Sequence, residues 1–146
     1  MTGLDSNILV YALDPLLPEH ERAKRAVLNL DGWYLNSTVI HEAYHALVFR
    51  RKMKPTDAVE KLVELLRDDR THFLNQTKQV SLLALALAEK YNLGGRDSLI
   101  IGCYLYHGVD RIFTHDEEIL KLEAVDFRGK RVKFEDPISA RSSKIS

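Results

Sequence analysis

Short apolar segments alternate with longer amphipathic segments along this chain, and this alternation limits the folds open to it. Four of the short segments are predicted strands: residues 2–4, 33–35, 71–74 and 111–114. The longer segments have helical periodicity; Leu62 and Leu66, for example, fall on one helical face. Because strands that alternate with helices form parallel sheets covered on both faces, we expect an α/β fold. The expected form is a three-layer α/β/α sandwich with a short-stranded, mostly parallel central sheet.

The predicted elements form a single domain that takes up most of the 146 residues. Helices are predicted from residue 8 onward and at residues 19–30, 38–51, 55–67, 79–91, 97–107 and 116–122. A last strand, at the edge of the sheet, is predicted at residues 132–134. We place the domain at residues 1–136, and residues 137–146, which are polar and rich in serine, are expected to form a flexible tail.

The chain has no formal net charge, since 21 Lys and Arg residues balance 21 Asp and Glu residues. This balance argues against a protein that binds nucleic acid through a strongly basic overall field, but it allows local basic patches. Cys103 is the single cysteine, so no intrachain disulfide can form and a reducing compartment is indicated. The N-terminus lacks signal-peptide features, and no apolar stretch approaches the ~18 residues of a membrane span. We therefore expect a cytoplasmic protein without a membrane partner.

Four carboxylates are predicted at the edge of the sheet where the parallel strands end. Asp5 follows the first strand, and Asp116 follows the fourth. Glu42 lies within about two turns of the start of the helix after the second strand, and Asp97 begins the helix after a Gly-Gly break. Ligand sites of open α/β folds lie at this edge. Since converging carboxylates repel one another, a hard dication such as Mg²⁺ or Mn²⁺ is the expected ligand.

Each of these carboxylates also has a purely local explanation. Asp97 and Asp116 could cap helices, because an aspartate there accepts from free backbone N–H groups and complements the helix dipole. Asp5 could begin an Asx-turn, and Glu42 could be a solvated helix residue. The common position of all four at one sheet edge is what favours a metal site.

The four acidic segments together resemble the successive motifs of the PIN-domain family. They are Leu4-Asp5-Ser6-Asn7, Glu42 in the helix after Ser37-Thr38, Arg96-Asp97-Ser98 and Thr114-His115-Asp116. They occur in the family order over nearly the whole chain, to about residue 134, and the stand-alone VapC-like toxins of toxin–antitoxin pairs are most similar. Ser98 is a mild departure, since many members have Ala at that position.

The resemblance implies a Mg²⁺- or Mn²⁺-dependent endoribonuclease whose metal-binding and catalytic residues are the four acids. It also implies a PIN-like sandwich fold, an RNA substrate, a cognate antitoxin and a homodimer. Ser6, Asn7 and Thr114 match the polar residues that accompany the acids, where they would orient the carboxylates.

Candidate RNA contacts come from two basic segments. Arg50, Arg51 and Lys52 end the helix that carries Glu42, and Arg96 precedes Asp97. The first group could instead stabilise the C-terminus of its own helix, and Arg96 could pair with a carboxylate.

A different chemistry is indicated by the segment His41-Glu42-Ala43-Tyr44-His45, which has the H-E-x-x-H pattern of zinc peptidases. In that alternative His41 and His45 bind Zn²⁺, Glu42 is the general base, and Glu60 or Glu64 could supply the third ligand. Metzincins continue this pattern with a glycine and a histidine, and this chain has Val48 and Arg51 at those positions. The alternative also gives no role to Asp5, Asp97 and Asp116. A further alternative is a non-catalytic PIN-like module that binds RNA.

Overall fold

The computed structural model describes residues 1–139, in which a central sheet is flanked by helices. The strands are β1 (Thr2–Leu4), β2 (Trp33–Asn36), β3 (Thr71–Leu74), β4 (Arg111–Phe113), β5 (Ala124–Phe127) and β6 (Lys130–Glu135). The helices are α1 (Ser6–Leu13), α2 (His20–Leu28), α3 (Ser37–His45), α4 (Pro55–Arg67), α5 (Lys78–Tyr91), α6 (Gly95–Tyr106) and α7 (Glu117–Leu120). Among these residues no helix combines the length and the apolar character needed to cross a membrane.

The strands lie side by side in the order β3-β2-β1-β4-β6-β5, and all neighbouring pairs are parallel except β5 with β6. From β1 the chain builds outward to β2 and β3 and then returns to the other side of β1 with β4. In open α/β sheets this reversal leaves a crevice at the carboxyl ends of the strands. Every residue of β1 is buried, as a strand covered on both faces requires. The predicted sandwich with a mostly parallel sheet is confirmed.

Tyr104 of α6 packs directly on the central strand and is completely buried. Its hydroxyl lies 2.7 Å from the carbonyl oxygen of Leu4 and 2.9 Å from that of Tyr34, so two carbonyls share one proton. A Cβ atom on Gly3 would lie 2.9 Å from the tyrosine ring. The absence of a side chain at Gly3 therefore lets α6, which carries Asp97, pack against the end of β1.

The helix predicted to reach residue 51 consists of α3 followed by a wider, π-helical turn at residues 46–50. The backbone N–H of Arg51 donates to the carbonyl of Ala46, five residues earlier, at 2.9 Å. Such turns are frequent at functional sites. This one carries Arg50 and precedes Arg51.

The far edge of the sheet differs from the prediction. The strand predicted at residues 132–134 is the middle of β6, which lies inside the sheet between β4 and β5, and the edge is β5, a strand that was not predicted. A two-residue turn joins the two strands, with left-handed φ angles of 52° at Arg128 and 83° at Gly129. Since Asn or Gly is usual at the first of these positions, the Arg-Gly pair gives only a weak hairpin signal.

Packing continues past the predicted domain boundary at residue 136. Ile138 is 2% exposed and belongs to the core, and Arg22 Nη1 donates to its carbonyl oxygen at 3.0 Å. The second residue of the predicted tail at residues 137–146 is therefore packed in the core. The rest of that prediction, residues 140–146, lies outside the described residues.

Candidate active site

A cleft of about 380 Å³ lies at the carboxyl end of the central strand. All four predicted acids line it, although their positions along the chain are up to 111 residues apart (116 minus 5). Its lining residues are Asp5, Ser6, Asn7, Val10, Tyr11, Leu17, Glu42, Ala46, Arg50, Arg51, Asp97 and Asp116. The cleft coincides with the point where the strand order reverses, which is the expected ligand position in such a sheet.

Asp5 is the most buried of the four acids and is 6% exposed. It caps α1, since its Oδ1 accepts from the backbone N–H of Ser6 at 2.8 Å, and its Oδ2 accepts from the hydroxyl of Thr114 at 2.7 Å. Burial raises the pKa of Asp5 from its ordinary value of 3.8 to about 6, although these two hydrogen bonds lower it. The charges of Asp97 and Glu42 raise it further. The carboxylate form of Asp5 is therefore costly without a neighbouring cation.

Asp97 and Asp116 line the same cleft, and their negative charges repel each other. Asp97 lies in the first turn of α6, after the N-cap Gly94. Burial raises its pKa, as do the charges of Asp116 and Glu42, whereas Arg96 lowers it. Asp116 caps α7 with its Oδ1, which accepts from two backbone N–H groups at 2.8 and 3.2 Å.

Glu42 joins α3 to two other parts of the site. Its Oε1 accepts from the hydroxyl of Ser6 at 3.0 Å, and its Oε2 lies 3.2 Å from Nε of Arg96. The side chain of Arg96 is 76% exposed, so solvent screens this ion pair and the arginine is free to change partners.

Three polar residues predicted to orient the acids make different contacts. Thr114 is fully buried and joins two acids, because its hydroxyl donates to Asp5 and accepts from the backbone N–H of Asp116 at 3.2 Å. Ser6 donates to Glu42. Asn7 instead accepts from the backbone N–H of His115 at 3.3 Å and so ties α1 to the loop that carries Asp116.

The predicted basic residues fall into two groups. Arg50 and Arg51 line the cleft, and Lys52 does not line it. Nε of Arg51 lies 2.8 Å from Oδ2 of Asp14, a carboxylate that is 4% exposed. This buried partner fixes the cleft wall. The sequence gives no sign of it, since Asp14 lies 37 residues away in the loop after α1.

The donor set suits a hard dication. Four carboxylates that repel one another line one cleft, and Mg²⁺ and Mn²⁺ prefer carboxylate and water oxygens. Across residues 1–139, no three His, Cys, Asp or Glu side chains already converge closely enough to hold one ion. Mg²⁺ does not require such a cage, because it usually keeps several waters and binds through one or two carboxylates. The residues present therefore fit this ion.

The histidines of the H-E-x-x-H segment lie in a neighbouring cleft with Ser37, Thr38, Glu42 and Arg96. Glu60 and Glu64, the residues considered as a third zinc ligand, are exposed on α4 and do not line this cleft. The zinc-peptidase alternative therefore lacks its third ligand here.

Solved structures of similar fold include a toxin and toxin–antitoxin complexes. VapC20 of Mycobacterium tuberculosis, a sarcin–ricin loop cleaving toxin, is 14% identical, with a TM-score of 0.73 over 88% of this chain and 99% of that one. A toxin–antitoxin complex from Klebsiella pneumoniae is 14% identical, with a TM-score of 0.67 over 94% and 98%. VapBC2 from Rickettsia felis, bound to a promoter DNA fragment, is 16% identical, with a TM-score of 0.66 over 92% and 97%. At these identities the likeness shows the fold.

No curated protein sequence matches the chain. The PIN domain profile matches residues 4–125, which include the four acids of the cleft and the strands β2, β3 and β4. The order of the acidic segments, the sheet topology and this match agree. The chain belongs to the PIN-domain family and has the fold of the VapC toxins.

Proposed function

We propose that this protein is a Mg²⁺- or Mn²⁺-dependent endoribonuclease that hydrolyses RNA phosphodiester bonds. The observation that carries the proposal is the shared cleft of Asp5, Glu42, Asp97 and Asp116 at the carboxyl ends of β1 and β4. Burial and mutual repulsion raise the pKa of Asp5 and of Asp97. A cation in the cleft would relieve this repulsion.

The four acids would supply the carboxylate ligands, one or two of them to an ion that otherwise keeps its waters, and the ion when bound supplies Lewis-acid charge at the scissile phosphate and lowers the pKa of a bound water. Thr114 holds the carboxylate of Asp5 in position, and Ser6 does the same for Glu42. Arg50 lines the cleft and Arg96 lies beside it, paired with Glu42; both are exposed and would contact RNA phosphates. Arg51 supports the wall through Asp14, and Lys52 would add charge to the approach.

We further propose that the protein is the cytoplasmic toxin of a toxin–antitoxin pair, inhibited by a cognate antitoxin and active as a homodimer. The support is that the Klebsiella and Rickettsia structures of the same fold contain toxin with antitoxin. Co-expression with the product of an adjacent reading frame should yield a complex that does not cleave RNA. Separation of that complex should restore cleavage.

Acid-to-amide variants test the nuclease proposal. Asp97→Asn and Asp116→Asn should each lose RNA cleavage at least about 100-fold, since metal-borne charge stabilisation supplies several kcal/mol. Total cellular RNA serves as the substrate, and cleavage is measured by sequencing new 5′ ends in Mg²⁺ or Mn²⁺. Glu118→Gln is the matched control, because Glu118 is 83% exposed and lies two residues from Asp116.

The same RNA assays, extended by a peptide substrate and by two histidine variants, distinguish the nuclease proposal from its alternatives. Full cleavage by both aspartate variants would contradict the proposal. Wild-type protein that binds RNA without cutting it in either metal would favour the non-catalytic module. Zinc-dependent peptide hydrolysis lost in His41→Ala and His45→Ala would favour the peptidase.

Thr114→Val should weaken metal binding about 10- to 100-fold, as the loss of other groups that orient metal ligands does. The hydroxyl bond lowers the pKa of Asp5, so its removal raises that pKa and favours the protonated acid. Titration calorimetry with Mn²⁺ measures the effect. Thr114→Ser keeps the hydroxyl and should retain affinity; equal affinity in both variants would contradict the assigned contact.

A further inference from the structure

His41 and His45 lie together on the wall of a second cleft, of about 380 Å³, next to the carboxylate cleft. Both side chains are exposed. Both belong to α3 and are four residues apart, so their Cβ atoms are about 5–6 Å apart on the same face. Two imidazoles at this spacing can reach one ion, as in the helical zinc motif.

One of these histidines has its proton position fixed by the backbone. Nδ1 of His41 lies 3.0 Å from the carbonyl oxygen of Ser37. Because a carbonyl can only accept, Nδ1 must carry the hydrogen, and in the neutral ring Nε2 then keeps its lone pair. Metal-binding histidines usually donate their second ring nitrogen to a carbonyl or carboxylate in this way.

Neighbouring side chains restrain the ring of His45 and balance the charge around the two histidines. The ring of His45 packs on Phe49, with centroids 5.0 Å apart. Arg96 lines the same cleft, but Glu42 offsets its charge at 3.2 Å. Since Arg96 is 76% exposed, it can move away from an arriving cation.

We propose that His41 and His45 form a two-histidine binding site for a borderline transition-metal ion, with Zn²⁺ as the expected ligand. Imidazole ligands favour Zn²⁺, Ni²⁺ and Cu²⁺, whereas Mg²⁺ prefers oxygen. Waters would have to complete the coordination, because no third His, Cys, Asp or Glu joins the pair among residues 1–139. The site adjoins the carboxylate cleft, with which it shares the wall residue Glu42, but it does not depend on the proposed nuclease activity.

Calorimetric titration of Zn²⁺ into the full chain tests the site, at about pH 7.5, where an ordinary histidine is neutral. His41→Ala and His45→Ala should each weaken binding at least about tenfold, since loss of a supporting contact alone costs that much. His72→Ala, which removes another exposed histidine, and the double variant Asp97→Asn/Asp116→Asn should retain it. Excess Mg²⁺ should not compete. Absence of binding, or binding lost only in the aspartate variant, would overturn the proposal.

Imidazole ¹⁵N spectra give a second readout. On addition of Zn²⁺, Nε2 of His41 should shift by far more than Nδ1, and His45 should shift with it. Signals that move at neither residue, or a dominant shift at Nδ1 of His41, would contradict the assigned geometry. This measurement uses the wild-type protein, so it does not depend on the folding of a variant.

Discussion

Asp5→Asn should stabilise the metal-free protein at neutral pH while removing its RNA cleavage. Burial raises the pKa of Asp5 from 3.8 to about 6, so the ionised acid is disfavoured in the folded state. The shift corresponds to at most about 3 kcal/mol of unfolding free energy, at about 1.4 kcal/mol per pKa unit. The amide carries no charge and therefore avoids this cost, but it cannot act as an anionic metal ligand.

The pH dependence follows from proton binding. Between about pH 4 and pH 6 the folded protein holds a proton on Asp5 that the unfolded chain has released, so the stability of the wild type falls as pH rises. The advantage of Asp5→Asn should therefore be absent below about pH 4 and complete above about pH 6. In Mg²⁺ the difference should shrink, because only the wild type gains stability from the ion, by about 2.7 kcal/mol at 100 times the Kd.

Urea unfolding across this pH range, with and without a chelator, measures both effects. Glu118→Gln removes a charge from an exposed side chain nearby and should leave stability nearly unchanged. If Asp5→Asn were less stable than wild type at pH 8 without metal, or if its advantage grew on acidification, the account of Asp5 would be wrong.

Gly3→Ala should destabilise the fold by about 1–3 kcal/mol, the usual cost of overpacking a core. The new Cβ would lie 2.9 Å from the ring of Tyr104, which is completely buried and held by two carbonyls. The ring cannot turn aside without losing these bonds. Because the contact joins α6 to β1, Asp97 and Asp5 would also separate, and cleavage should fall with stability.

Thermal and urea unfolding measure this cost. Gly95→Ala is the matched control, since a Cβ at that position meets nothing within 4 Å, and it should be neutral or slightly stabilising. Equal stability of the two alanine variants would contradict the packing of Tyr104 on Gly3.

The parts of the fold predicted from sequence are those with strong local patterns. Residues 55–67 and 71–74 form an amphipathic helix and a strand with the predicted bounds, because periodicity and flanking residues fix them locally. The π turn after α3 and the hairpin of β5 and β6 were missed. The π turn depends on tertiary contacts. The hairpin depends on Arg128, an unusual residue for a left-handed turn position.

The sequence predicts that the four acids share one edge of the sheet, because the strands before them are parallel. It does not predict their pKa values or their contacts. Asp5 and Asp116 both cap helices and both line the cleft, so the local explanation and the functional one hold together for these residues. The raised pKa of Asp5 arises from burial beneath distant segments, and the pairing of Arg51 with Asp14 joins residues 37 positions apart. No local sequence pattern encodes either feature.

The central claim is that the carboxylate cleft binds a dication and uses it to cleave RNA. Chelator-treated protein, titrated with Mn²⁺ while RNA cleavage and the unfolding midpoint Tm are followed together, tests this claim most directly. Both should rise over the same range of Mn²⁺ concentration in the wild type, and neither should rise in Asp97→Asn. Cleavage that is complete in the chelator, or that persists in Asp97→Asn with the same Mn²⁺ dependence, would contradict the claim.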